Sequence, residues 1–243
     1  MPGSGAEQRI FSPATTVGAI VASDFRTAGV FESHGIDFCC GGKVSLAEVC
    51  REKGLDQDAL LREIAAAKSA TVDHSKNYGG WTLPFLADYI VNTHHAYLNE
   101  NTAQIAAYAD KVAAVHGAHH PEVIAIAASF TGIASDMAAH LREEEEVLFP
   151  AIKRIDAARK VGDPPPAADL ETIRASLAKL DGEHQTIGDA VHTIRHLSRG
   201  YAVPEGVCNT FAVTYRKLEE FEKDLHKHVH LENNILFPKA AAL

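Results

Sequence analysis

Two stretches of this chain repeat one another, HLREEEEVLFP at residues 140–150 and HVHLENNILFP at 228–238. Both follow H-x3-E-x2-[VI]-L-F-P, and they share the phase of the apolar residues upstream. Met137 and Leu225 stand three before the histidine, Ile133 and Phe221 seven before, Phe130 and Leu218 ten before. On an α-helix, positions −7, −3, 0, +4 and +7 fall on one stripe. Each copy therefore predicts a helix whose core-facing side carries a histidine and, one turn later, a glutamate. Burying an unpaired carboxylate costs several kcal/mol. The pattern thus calls for a compensating positive charge inside the fold.

A second pair of segments matches in the same way. Setting His95 on His184 aligns Val91 with Leu180, Leu98 with Ile187 and Ile105 with Ile194. Setting His94 there instead places Tyr97 and Gln104 against the two isoleucines, a poorer apolar match, so His95 is the inward residue. His95 to His184 spans 89 residues and His140 to His228 spans 88, the mark of a duplicated helical hairpin. Each copy supplies one histidine and then an H-x3-E.

The rest of the chain reads as all-α. Residues 1–13 are expected to be a disordered N-terminus, and 14–68 a small helical domain with vicinal cysteines. Within it, Ser45 and Glu48 have capping-box spacing, and Gly35 and Gly54 suit helix C-termini. Residues 69–81, SATVDHSKNYGGW, read as a linker. Residues 82–243 are predicted to form an up-down-up-down four-helix bundle. Its helices run over about 83–115, 121–159 and 167–198, and from after Pro204 to near Pro238.

Four histidines (His95, His140, His184, His228) and two glutamates (Glu144, Glu232) would then face one interior. Bound cations would compensate the carboxylates. Structural zinc asks for four ligands, often thiolates, whereas six nitrogen and oxygen donors on four helices suit two metals bridged by carboxylates. Histidine–carboxylate sets with open positions favour non-haem iron; manganese or a mixed pair stays open. Of the other glutamates in the 140–150 stretch, Glu143, Glu145 and Glu146 have no glutamate counterpart in the second copy and read as solvated. His94, His119, His120, His192, His196, His226 and His230 read as surface or bundle-edge residues. His116 is a candidate neighbour of the site, and Cys50 and Cys208 read as core.

Composition narrows the partners. A formal charge of −9 disfavours nucleic acid and anionic membrane surfaces. The opening MPGSGAEQRIF has no long apolar run, and VGAIVA is too short for a signal peptide or membrane span. A cytoplasmic location and reduced cysteines are therefore expected. Whether the chain forms a homodimer is left open.

These motifs resemble the hemerythrin-like domain, with two departures: Gly188 stands where a second histidine of the third helix would be, and the fourth helix has H-x3-E rather than a longer spacing. Both departures, together with HGIDFCCGGKVSLAEV at 34–49, are similar to the repair-of-iron-centres family, di-iron proteins of iron–sulfur cluster repair. The resemblance implies that His95, His140, Glu144, His184, His228 and Glu232 ligate two iron ions in an oxo/carboxylate-bridged centre, the glutamates bridging. It also implies a stress-response role in recovering clusters damaged by nitric oxide or oxidants. Damaged iron–sulfur proteins would be the clients, and iron supply or nitric oxide chemistry, of a reductase kind, the activity. The competing readings are a hemerythrin-like oxygen or nitric oxide sensor or carrier without repair activity, and a ferritin-like oxidase, which uses more carboxylates. Cys39 and Cys40, before Gly41-Gly42 and Lys43, are candidate redox or transfer thiols, because nearby amides, an ammonium and a helix start can stabilise a thiolate.

Overall fold

The computed structural model describes residues 11–69 and 77–243. The expected disorder of 1–13 lies outside the described residues as far as residue 10; from Phe11 the chain is placed, with Lys68 Nζ 4.5 Å from the Phe11 ring centroid. Most of the expected linker, 70–76, also lies outside them. No strand occurs among the described residues, and the chain divides into two compact units, 1–79 and 80–243.

In the first unit, α1 (Val17–Ser23), α2 (Ala28–Ser33), α3 (Leu46–Lys53) and α4 (Gln57–Ser69) close around Ile20, Phe31, Phe38, Leu46, Leu60 and Ile64. Thr16 caps α1 and Ser45 caps α3, each side chain accepting a first-turn amide, from Ala19 and Glu48. The end of α3 is Gly54, at φ +66°, a conformation that costs a residue without a Cβ little. Tyr78 is also buried in this unit, edge-on to Phe25.

The second unit consists of four helical rods. The first joins α5 (Leu83–Ile90) to α6 (Ala96–His116), and the second joins α7 (Glu122–Glu143) to α8 (Phe149–Val161). The third is α9 (Ala167–Leu197), and the fourth joins α10 (Asn209–Leu231) to α11 (Phe237–Ala241). Rod two packs on rods one and three, and rod four packs on rods one and three, so the ring of helices is closed. Gly117 makes the turn between α6 and α7, where a Cβ would fall 2.5 Å from the Ala113 carbonyl oxygen. The stripe read from the repeats is the core: Phe130, Ile133, Met137, Leu180, Ile187, Leu218, Phe221 and Leu225 are all buried, with Phe130 edge-on to Phe221 at 5.0 Å. The rod Glu122–Val161 is long and apolar enough to cross a membrane by length and composition, but Phe130, Ile133, Met137 and Ile152 face the bundle core.

Three rods are interrupted by one π-helical turn each: Val91–His95, Glu144–Leu148 and Glu232–Leu236. The duplicated L-F-P is the local cause of the second and third. The Phe149 amide reaches back five residues to the Glu144 carbonyl, and the Phe237 amide does the same to Glu232. Pro150 and Pro238 follow at once; a proline there has no N–H to give, and a widened turn relieves the clash its ring would make. The fourth helix was expected to begin after Pro204 and to stop near Pro238. It starts at Asn209 and passes through the proline to Ala241, because the π turn places Pro238 in the first turn of α11.

Candidate metal centre

Each π turn carries one of the predicted donors. His95 ends the first, and Glu144 and Glu232 open the other two, while His140 and His228 sit one turn earlier on their own rods and His184 on the unbroken α9. All six residues are at most 1% exposed. They converge as two overlapping sets, His95, Glu144, His228 and Glu232, and His140, Glu144, His184 and Glu232, the donor atoms of each set within 4.8 Å of one another. The glutamates belong to both sets. Exchanging the two halves of the duplication turns one set into the other, so the centre has an approximate two-fold axis.

The Nε2 atoms face the carboxylates. His95 lies 3.3 Å from Glu144, His140 3.4 Å from Glu144, His184 3.3 Å from Glu232 and His228 3.0 Å from Glu232. Even so, both oxygens of Glu144 and of Glu232, and the Nε2 atoms of His95 and His228, have no hydrogen-bond partner among the described residues. Native proteins rarely leave so many buried polar atoms unsatisfied in one place. Two cations between the sets would satisfy them all. Each would receive two imidazoles and two shared carboxylates, with coordination positions left for a small ligand.

The opposite ring nitrogens of three imidazoles are held from outside, while His228 Nδ1 is buried with no hydrogen-bond partner among the described residues. His95 Nδ1 donates to Glu145 at 2.7 Å, His140 Nδ1 to Glu183 at 2.9 Å, and His184 Nδ1 to the Asn233 oxygen at 2.8 Å. Those oxygens can only accept, so Nδ1 keeps its proton and it is Nε2 that would offer a lone pair to a metal. Glu145 and Asn233 are equivalent positions of the repeat. Glu145 is thus not simply solvated, as its lack of a glutamate counterpart suggested; an asparagine oxygen does the same work in the second copy. Glu143 is engaged too, by Ser176 and Lys179. Glu183 also lines a cavity of about 300 Å³ beside α9, with Asp136, Lys179 and Ile187.

The symmetry fails at His94, which occupies the position equivalent to Glu183. Its ring stacks on His228 with centroids 5.7 Å apart, and its Nδ1 bonds Asp224 at 2.9 Å. His94 and His230 were expected near the surface, but both are buried. His94 and His95 both lie in the π turn Val91–His95. Only His95 reaches the carboxylates. His116 is not a neighbour of the site: it ends α6, and at the 1.5 Å rise of an α-helix it lies about 30 Å along the rod from His95. Gly188 is buried one turn after His184 and offers no donor.

Without a cation, protons carry the compensating charge. Burial disfavours the charged form of His95, but Glu144 and Glu232 outweigh it and hold the imidazole up to about 10. His184 is likewise held up to about 9 against burial, chiefly by Glu232. Burial takes His228 down to about 4. Glu144 is raised by burial and by Glu232, while Glu232, despite burial, is held well below the usual range by His228, His184 and His95. His95 and His184 are therefore protonated at neutral pH, and a metal must displace those protons. Divalent metal uptake at pH 7 should release about two protons per chain, and apparent affinity should rise with pH until the imidazoles titrate near 9 to 10. A dye-monitored metal titration at several pH values reads both; uptake without proton release would contradict this charge assignment.

Cys39 and Cys40 lie in the first unit. Asp37, Cys39 and Cys40 also place donor atoms within 4.8 Å of one another. The amides of Cys39 and Gly41 were expected to stabilise a thiolate, but they donate to the Asp37 carboxylate, at 2.8 and 3.0 Å, and the Cys39 thiol donates to it at 2.9 Å. The neighbouring Cys40, burial and Asp37 hold the Cys39 thiol well above its ordinary value. Cys39 is a protonated thiol beside a carboxylate.

Comparison with known proteins agrees with this division. Residues 13–68 match ScdA_N, described as a domain of unknown function (DUF542), and residues 86–240 match the hemerythrin HHE cation binding domain. Over 226 residues the chain is 31% identical to the iron-sulfur cluster repair protein YtfE of Yersinia pestis (strain Pestoides F), covering 93% of this chain and 96% of that protein. The same identity and coverage hold for the YtfE protein of Yersinia pseudotuberculosis serotype O:1b (strain IP 31758). All six converging side chains fall within the HHE match, and the cysteine pair falls within the other.

Proposed function

The chain belongs to the hemerythrin HHE cation-binding family and is a relative of YtfE, and on that footing we propose that it is a di-iron protein that repairs damaged iron–sulfur clusters. The observation that carries the proposal is the pair of four-donor sets sharing two buried, otherwise unsatisfied carboxylates. His95 and His228 would hold one ion, His140 and His184 the other, and Glu144 and Glu232 would bridge them. Nitrogen and oxygen donors with open positions suit iron. Iron bound there would supply a redox-active centre able to take nitric oxide, or iron for rebuilding a cluster. The protein's part is to keep Nε2 lone pairs aimed inward through Glu145, Glu183 and Asn233. It also offsets part of the charge of two cations with two buried carboxylates and excludes bulk water. Four free cysteines suit a reducing, cytoplasmic setting in which nitric oxide stress damages client proteins.

Cys39 and Cys40 enter as transfer thiols. With Asp37 they form a small donor set that a metal ion can claim by displacing the Cys39 proton. One experiment tests the whole reading. Protein purified anaerobically should carry about two irons per chain, as two four-donor sets require, and should reactivate an iron–sulfur enzyme inactivated by nitric oxide. Reversible ligand binding without reactivation would instead indicate a sensor or carrier. Cys39→Ser/Cys40→Ser should keep the iron and lose reactivation; unchanged reactivation would remove the thiols from the mechanism.

A further inference from the structure

At the end of the bundle remote from the carboxylates, the structure brings together two residues that the sequence does not pair. Cys208 was read as core; it is exposed and stands at the N-cap of α10. His116, at the last position of α6, reaches across 92 residues of chain to place Nε2 3.1 Å from its sulfur. The imidazole is fixed by packing: its ring meets Phe211, fully buried in the first turn of α10, edge-on at 5.3 Å, and the His120 ring flanks both. Free thiols are placed this way where an imidazole takes the thiol proton and a helix start favours the resulting anion.

We propose that Cys208 and His116 form a thiolate–imidazolium pair, a surface modification site that reacts with hydroperoxides independently of the metal centre. The His116 hydrogen bond, with smaller help from the Phe211 and Thr210 amides, takes the thiol down to about 7. About half of it is then thiolate at neutral pH, against a few per cent for an ordinary cysteine near 8.5. The thiolate attacks the terminal peroxide oxygen. An S–O bond forms, the O–O bond breaks, and the leaving oxygen takes its proton from the His116 imidazolium. Sulfur is oxidised by two electrons and the peroxide reduced by two, giving a sulfenic acid and an alcohol or water. A small thiol then condenses with the sulfenic acid, forming a mixed disulfide and releasing water. Cys39 and Cys50 are buried and cannot compete for large reagents.

The test follows each cysteine separately by peptide mass spectrometry in the intact, metal-loaded chain. Alkylation of Cys208 by iodoacetamide should be half-maximal near pH 7. His116→Phe, which keeps a ring against Phe211, should move the midpoint up toward about 8.5 and slow the reaction at pH 7 about tenfold. Hydrogen peroxide with dimedone should label Cys208 before Cys40, and the label should vanish in Cys208→Ser with iron content unchanged. If His116→Phe does not fold, His116→Gln serves. An unshifted profile in the His116 variant, or no dimedone adduct at Cys208, would overturn the assignment.

Discussion

In the proposed di-iron centre, replacing Glu144 by alanine is expected to take the iron from about two ions per chain to near none, because one carboxylate serves both four-donor sets. No neighbour can take its place. Glu144 is fully buried, and the adjacent Glu145 is committed to His95 Nδ1 at 2.7 Å and points outward. Each ion would keep two imidazoles and one carboxylate, too little negative charge for two neighbouring cations. Glu145→Ala is the contrast. It removes a hydrogen bond behind His95 and leaves every donor in place, so affinity should fall only about 10- to 100-fold. Metal analysis after dialysis against a chelator separates the two. Full iron retention by Glu144→Ala would show that the bridging assignment is wrong. Glu144→Gln keeps the shape while removing the charge, and its melting curve controls for a collapsed core.

The second large effect concerns stability rather than metal. Arg195 on α9 grips Glu222 on α10, Nε at 2.8 and 2.9 Å from the two carboxylate oxygens and a terminal nitrogen at 2.6 Å from one. Glu222 has no exposure, while the Arg195 side chain is half exposed. Arg195→Ala would leave a buried carboxylate with the Tyr201 hydroxyl but without its guanidinium, and an uncompensated buried charge costs about 3–5 kcal/mol. Here the opening left by the arginine admits some solvent, so we expect about 2–4 kcal/mol. For a domain of this size that is a drop in Tm of roughly 5–15 °C. Arg195→Lys should recover part of it, since a point charge replaces a bidentate fork. Differential scanning calorimetry of the metal-free chain reads the effect directly, and a shift under about 2 °C would mean the carboxylate is satisfied without Arg195.

Much of the centre was legible in the chain because ligation and core packing obey the same period. A donor that faces a bundle interior must lie on the apolar stripe, so His140, Glu144, His228 and Glu232 could be picked out by spacing, and His95 and His184 by matching apolar phase. The same logic misled where a residue acts across helices rather than along one. Glu145 lies off the stripe and is partly exposed, yet it orients His95. Its signal was present in the repeat: Asn233, its equivalent, also carries an acceptor oxygen. His94 was misplaced because matching apolar phase against the other half could choose only one inward residue of the pair, whereas packing between the rods buries both. Around Cys39, the amides and the thiol could be placed near one another from the Gly-Gly sequence, but not the carboxylate of Asp37 that uses them first.

By itself the sequence determined the all-α class, the duplicated hairpin and the six convergent donors, because each depends on periodicity within single helices and on repetition between them. The tertiary structure alone decided the grouping of those donors into two overlapping sets, the residues that hold the imidazoles from behind, and the meeting of His116 with Cys208. Those depend on how far each rod is rotated and slid against its neighbours. That choice is made by packing between residues from 43 to 130 positions apart, and no pattern within one helix encodes it.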